Sequence, residues 1–272
     1  MVFCIFMPVL LFSNIYGTEI SGIVPMKLII FTLSAVLLVY LGAVIFSVLI
    51  EKNNKSRGSI IQAIYRSNLV LMGMPLAASI YGADNVGVTA VLVAIIVPIY
   101  NVLAVITLEI FRGTEMQVSR VVGGILKNPL IIGGAAGILA ALLNIRLPVV
   151  IEGIISDTAG AATPMALIVL GASIHFTSID RCRRNLIISV VVRLLVVPAI
   201  CLSLGALFGF RGIEFVTLIA VFASPVAVSS FTMAKQMNSD SDLAANNVAF
   251  TSAFACLTMF FWIFLFKYLG MF

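Results

Sequence analysis

Residues 66–82 read RSNLVLMGMPLAASIYG, and residues 213–236 read IEFVTLIAVFASPVAVSSFTMAKQ. Each is an apolar run with a proline near its middle, Pro75 and Pro225. Each proline is followed at the same offsets by Ala and Ser: Ala77 and Ser79, Ala227 and Ser229. Proline removes an amide donor and clashes with the preceding turn, so both helices are expected to break there. Gly73 and Ser224 loosen the same two points. A second pair of prolines, Pro8 and Pro164, stands two helices ahead of each break. A Pro-containing helix, an intervening helix and a Pro-broken helix therefore recur in the same order.

Composition says what surrounds these helices. The chain has 272 residues, of which 62% are hydrophobic and 10% charged, and its mean hydropathy is +1.20. An ordinary soluble domain carries roughly 25% charged residues. Sixteen Lys+Arg and eleven Asp+Glu cannot furnish a charged shell for a globule of this size, which excludes a soluble enzyme, a nucleic-acid-binding protein and a disordered chain. Lipid is the expected solvent. Cys4, Cys182, Cys201 and Cys256 have no metal-ligand spacing and read as small hydrophobes. His175 has no second His or Cys near it in sequence and reads as a polar residue at a helix end. No metal or cofactor site is expected.

A spanning helix needs about 20 mostly apolar residues. Nine segments qualify: 1–16, 25–50, 60–80, 85–110, 121–143, 147–173, 185–209, 213–234 and 243–269. The linkers are too short for a soluble domain, so residues 1–272 form one integral membrane unit. The expected class is an all-α polytopic membrane protein of about nine transmembrane helices. Its first half is 1–110, an incomplete repeat of four helices, and its second half is 121–272, with five. Loops after the even-numbered segments hold nine basic residues against four on the other side. The positive-inside rule then puts the N-terminus in the cytoplasm and the C-terminus outside. The third and eighth segments cross in opposite directions, which makes the repeat inverted. Broken helices in matching places of inverted halves are the sequence pointer to a transporter site.

Two breaks crossing at mid-membrane satisfy their freed backbone groups by lining a wet cavity. Half-helix N-termini suit a carboxylate, and half-helix C-termini suit a cation. The candidate substrate-binding residues are Asn68, Gly73, Pro75, Ser79, Ser224, Pro225, Ser229, Ser230 and Thr232. Asn101, Asn246, Asn247 and Thr251 are candidate cavity-lining residues. The competing readings are ordinary proline kinks, and hydroxyls bonded back into their own helices. Asp157, beside Ser156, Thr158 and Gly160, is a candidate for coupling or for an interfacial break. Arg66 and Glu109 read as solvated helix ends, and Lys127 and Arg193 as snorkelling to the cytoplasmic interface. Lys235, Asp240 and Asp242 read as a cytoplasmic loop.

Four stretches carry a resemblance: 66–82, quoted above; ILKNPLIIGGAAGILAALLNIRLP (125–148); ATPMALIVLGASI (162–174); and ASPVAVSSFTMAKQMNSDSDLAANNVAF (223–250). In this order and spacing the chain resembles the auxin efflux carrier family, which includes bacterial permeases for malate and related carboxylates. The resemblance implies ten helices in two inverted halves, crossed broken helices, a scaffold, a mobile transport domain and elevator-type alternating access. The family's first helix has no counterpart here, and its second is expected to begin near Met1. The expectation is either an upstream start or a truncation in the scaffold that leaves the crossing in place.

The expected function is secondary transport of a small organic anion, such as malate or another carboxylate, across a cell inner membrane. Expected partners are that anion, the lipid bilayer and, by the family likeness, a second copy in a homodimer. The alternatives are a sodium-coupled organic anion symporter of bile-acid type and a non-transporting remnant. An intramembrane enzyme is disfavoured: GAD at 82–84 falls short of a paired-aspartate motif, and no Ser/His arrangement has usable spacing.

Overall fold

The computed structural model describes residues 2–16, 24–82, 87–112, 123, 126–143, 145–173 and 177–272. The described residues are mostly helical, joined by short turns and extended linkers, with one isolated bridge between Ser67 and Val226. The helices are α1 (Val2–Tyr16), α2 (Met26–Ile50), α3 (Asn54–Tyr65), α4 (Leu69–Tyr81), α5 (Gly87–Ile110), α6 (Pro129–Leu142) and α7 (Val149–Ala172). They continue as α8 (Thr177–Val191, carried through a wide turn at Val192–Val196 into Val197–Leu207), α9 (Gly212–Ala223), α10 (Ser229–Gln236) and α11 (Ser241–Tyr268). Among the described residues, five helices are long and apolar enough to cross a membrane by length and composition. The protein is an all-α polytopic membrane protein, as the apolar segments predict. His175 lies outside the described residues.

The halves of the chain interleave in two packed groups. One core gathers α2 to α5 with α8, α9 and α11. A second is built on α1, α6 and α7 and reaches α10 and one side of α5. We call the first group, together with α10, the bundle and the trio α1, α6 and α7 the panel. Small residues set the panel's close packing. A methyl group on Gly133 of α6 would come within 2.6 Å of the Pro8 carbonyl oxygen of α1, and one on Gly137 within 3.1 Å of the Phe12 oxygen. With little apolar gain between helices in lipid, such close backbone approach supplies the contact energy. Tyr16 fixes the end of α1: its hydroxyl donates to Glu152 Oε1 (2.7 Å) and accepts from Leu147 N (2.9 Å).

Prolines shape the helices differently from the expectation at Pro75. Three wide turns with i→i−5 bonding, Val2–Phe6, Leu69–Gly73 and Val192–Val196, each end two residues before a proline: Pro8, Pro75 and Pro198. The central residue of each turn is the one whose carbonyl the proline ring would strike. The extra residue swings that carbonyl away, and the helix continues. At α8 the displaced Leu194 oxygen accepts from Trp262 Nε1 at 3.0 Å. Pro75 is thus absorbed inside α4. The first-half break lies upstream, at Arg66–Asn68, whereas the second-half break falls at Pro225 as predicted.

Gly133→Val in the panel is expected to lower the thermal unfolding midpoint, by overpacking that costs about 1–3 kcal/mol. Gly153→Ala in α7, where nothing lies within 4 Å of the added carbon, should leave it unchanged or slightly raised. Equal midpoints for both variants would contradict the close α1–α6 contact.

Candidate functional site

Both interrupted helices are built alike up to the break. α3 and α9 are each 12 residues long and each ends in an extended residue, Arg66 (φ −87°, ψ 125°) and Ser224 (φ −65°, ψ 150°). The two extended stretches then run antiparallel. Asn68 N donates to Pro225 O at 2.8 Å, and Ser67 bridges to Val226. Val226 N, next in line, donates to Thr251 Oγ1 of α11 at 3.1 Å, and Thr251 in turn donates to Asn247 O at 2.6 Å. Ser224 Oγ donates to Ala220 O at 2.5 Å, tying off one carbonyl of α9. Freed backbone groups in a lipid-surrounded protein find partners inside it, and here the partners are the other break and α11.

Two arginines stand at this crossing. Arg193, completely buried, donates only to backbone carbonyls: Ser224, Val221, Ile64 and Tyr65. Arg66, 3% exposed, donates to Gln62 Oε1 (3.2 Å), Met233 Sδ (2.8 Å) and Asn101 Oδ1. Neither set of partners contains a carboxylate. The reading of both side chains as reaching solvent is therefore corrected. In the folded bundle the stretch before Arg66 and the middle of α8 both turn inward onto the crossing, too deep for a snorkelling side chain.

A cavity of about 80 Å³ opens beside the crossing, between bundle and panel. About 10–15 Å³ on this scale holds one water, so there is room for several waters or for a small ligand's polar head. Arg66, Ser67, Asn68, Tyr100, Asn101 and Ser229 line it from the bundle. Asn14, Thr163 and the apolar Met7, Leu10, Leu11, Leu130 and Ala166 line it from the panel. Asn68 Nδ2 is buried without a hydrogen-bond partner. The N-termini of α4 and α10 begin at the cavity wall, at Leu69 and Ser229. A larger groove, about 510 Å³ between α2 and α8, is lined by apolar side chains with Ser34 and Cys201, and has no charged group to orient an anion.

The other predicted residues scatter around this centre. Ser224 and Pro225 form the break itself. Gly73 packs tightly: a methyl there would meet Leu69 Cδ1 at 2.6 Å and Ala220 Cβ at 3.0 Å, so this glycine lets α4 lie against α9. Ser230 and Thr232 are buried in α10, their hydroxyls unpartnered and outside the cavity wall. Ser79 is on the outer part of α4 and bonds back to Leu76 O at 2.8 Å. Asn246 turns toward α8, donating to Cys182 Sγ at 3.5 Å. Asn247 is fully buried with both side-chain polar atoms unpartnered. Asp157 is exposed on the panel, away from the crossing. Asp240, read as a loop residue, caps α11 through Leu243 N (3.0 Å) and accepts from Ser56 Oγ of α3 (2.8 Å). Among the described residues, no group of three His, Cys, Asp or Glu side chains gathers to hold a metal.

Sequence reasoning missed Arg66 and Arg193 as crossing residues. The available signal was position: Arg66 directly precedes Ser67–Asn68, and Arg193 is flanked on both sides by uncharged aliphatic residues.

The whole architecture meets a known pattern over almost its full length. The chain matches the profile of the membrane transport protein family, the auxin efflux carriers, over residues 1–263. It belongs to this family. Membership makes it a multi-pass membrane transporter. No curated protein matches it. Within this family setting, the cavity at the crossing is the candidate substrate site.

Thr251→Val keeps shape but removes the acceptor of Val226 N. The orphaned amide should cost about 1–3 kcal/mol, read as a lowered unfolding midpoint, while Thr251→Ser should stay near wild type. A neutral Thr251→Val would show that α11 does not hold the second break.

Proposed function

We propose that this family member is a secondary carrier of a small organic anion, such as malate or another carboxylate. The single observation that supports the reading most is Arg66. Its buried guanidinium has only neutral partners among the described residues, and it borders a cavity at whose wall two helices begin. A charge in a low-dielectric site calls for a counter-charge. The missing counter-ion is the substrate in this reading. A carboxylate would take N–H groups from Arg66 and Asn68 and from the start of α10 near Ser229, a charge-assisted and directional set. Asn101 orients the guanidinium through its Oδ1. Pro225 keeps the second break open, and Gly73 lets the two broken helices approach.

The cavity's position supports an elevator mechanism. Polar ligands come mostly from the bundle, and the panel offers a largely apolar wall. Bundle and substrate then move together along that wall, which exposes the site to one side and then the other. In this proposal the panel is the scaffold and carries any homodimer contact. The membrane is the cell inner membrane, with the N-terminus cytoplasmic and the C-terminus outside. The chain acts as a carrier and not as an enzyme.

The test is ligand-induced thermal stabilisation of the purified chain with malate, malonate, citrate and lactate, followed by uptake into vesicles. Binding to the folded state raises stability by mass action. Arg66→Gln should weaken the stabilising anion by at least about tenfold, a loss of roughly 1.4 kcal/mol, and Arg66→Lys should fall between. Asn68→Ala should reduce uptake while insertion stays normal. Full uptake and an unchanged anion shift in Arg66→Gln would overturn the site.

A further inference from the structure

The helix C-termini at the crossing tell a second story. α3 and α9 each point their carbonyl ends at the same spot, and each leaves its last carbonyls without intrahelical donors. Each such end carries about half a negative elementary charge, so the two together present about one. In carriers built from broken helices, freed carbonyls at half-helix C-termini are where a coupling cation binds.

In this chain that position is already filled. Arg193 Nε and Nη2 donate to Ser224 O at 3.0 and 2.6 Å, and Nη2 also reaches Val221 O at 3.3 Å. Its Nη1 donates to Ile64 O at 3.2 Å and Tyr65 O at 3.4 Å. One planar guanidinium thereby caps both half-helices at once, two carbonyls from each. The single positive charge matches the summed charge of the two ends. Arg193 sits on the wide turn Val192–Val196, and it is not part of the cavity lining.

We infer that Arg193 is a tethered internal cation that occupies the carbonyl cluster where a carrier of this build would take sodium, so that the crossing binds no exchangeable alkali cation. The inference deepens the carrier reading and rests on it only for its meaning in transport. It separates the proposed anion carrier from the sodium-coupled alternative: the carbonyl pole is permanently closed and the N–H pole remains for the substrate. Arg193 acts as a positioning residue. It holds both breaks in the geometry that aims Asn68 and the α10 N-terminus at the cavity.

The cation measurement is made on the purified full-length chain in detergent with no anion ligand, so its outcome does not depend on whether the carrier reading holds. Thermal midpoints are compared in sodium, potassium and choline chloride at equal ionic strength. The wild type should give one midpoint in all three salts. A saturable, sodium-selective rise in the wild type would overturn the proposal. Arg193→Ala should unfold several degrees lower, and low-millimolar methylguanidinium should restore part of that loss in the variant while leaving the wild type unmoved. Arg193→Lys keeps the charge but loses the planar fork, and it should fall between. If the alanine variant does not fold, the lysine variant and the wild-type salt series still decide the matter. An Arg193→Lys protein as stable as wild type, or an Arg193→Ala protein that methylguanidinium does not restore, would contradict a guanidinium-specific cap.

Discussion

Backbone polar groups inside a membrane protein must find partners within it, and the rest of this structure follows from how the two helix breaks meet that demand. A helix that stops at mid-depth leaves carbonyls on one half and amides on the other. Two such helices crossing give two carbonyl ends and two amide ends within a small volume. The chain treats the two kinds of end differently. The carbonyl ends of α3 and α9 converge on Arg193, and they are closed. α4 and α10 begin at the cavity wall beside Arg66 and Asn68, although Ser230 N and Phe231 N of α10 already donate to Ala227 O and Val228 O. An anion is favoured at the amide pole by the same dipoles that Arg193 neutralises at the carbonyl pole.

The surrounding helices keep this arrangement from collapsing. The antiparallel bridge between the extended stretches leaves Val226 N to be met from a third helix, through Thr251. The wide turn in α8 does two things at once: it accommodates Pro198, and it carries Arg193 in its own arc. Without the extra residue the proline ring would press on the Leu194 carbonyl, which instead reaches Trp262. In α4 a similar turn lets the helix run through Pro75 and lie against α9 at Gly73. Proline in this protein bends or widens more often than it breaks. Pro98 and Pro164 lie inside continuous α-helix.

That behaviour sets the boundary of what the sequence made legible. The apolar segments and their short linkers gave the membrane helices directly, because length and hydropathy are local properties. Pro225 marked the second break correctly, since Ser224 is extended and no wide turn precedes it. Pro75 misled, because the outcome at a proline depends on whether the upstream turn can widen, and that is decided by packing against α9. The first break, at Arg66–Asn68, carries no proline or glycine. It is held by tertiary partners: Pro225 O across the crossing, and Arg193 from a helix more than a hundred residues away. Asn68, Asn101 and Ser229, which line the cavity, were legible because polar side chains in apolar runs stand out. The arginines stood out equally. A local reading gave them solvent, the cheapest environment for a charge, when the fold supplied carbonyls and neutral acceptors.

The placement of the two arginines also bears on how a site of this kind moves. A carrier that slides past an apolar wall must not expose unsatisfied charge on the way, because the cost of a bare ion in a low-dielectric path is several kcal/mol. In the proposed elevator, Arg193 would meet this condition wherever the bundle stands, since all four of its carbonyl partners belong to α3, α9 and the break that follows α9. Arg66 meets it only in part. Its acceptors Gln62, Asn101 and Met233 also travel with the bundle, but they are neutral, and one face of the guanidinium borders the cavity. A bound carboxylate would complete the neutralisation that the protein leaves unfinished, and the loaded bundle would cross the panel more easily than the empty one. In the proposed carrier such a bias would favour exchange of one anion for another over return of an empty site, because Arg66 has only neutral partners among the described residues.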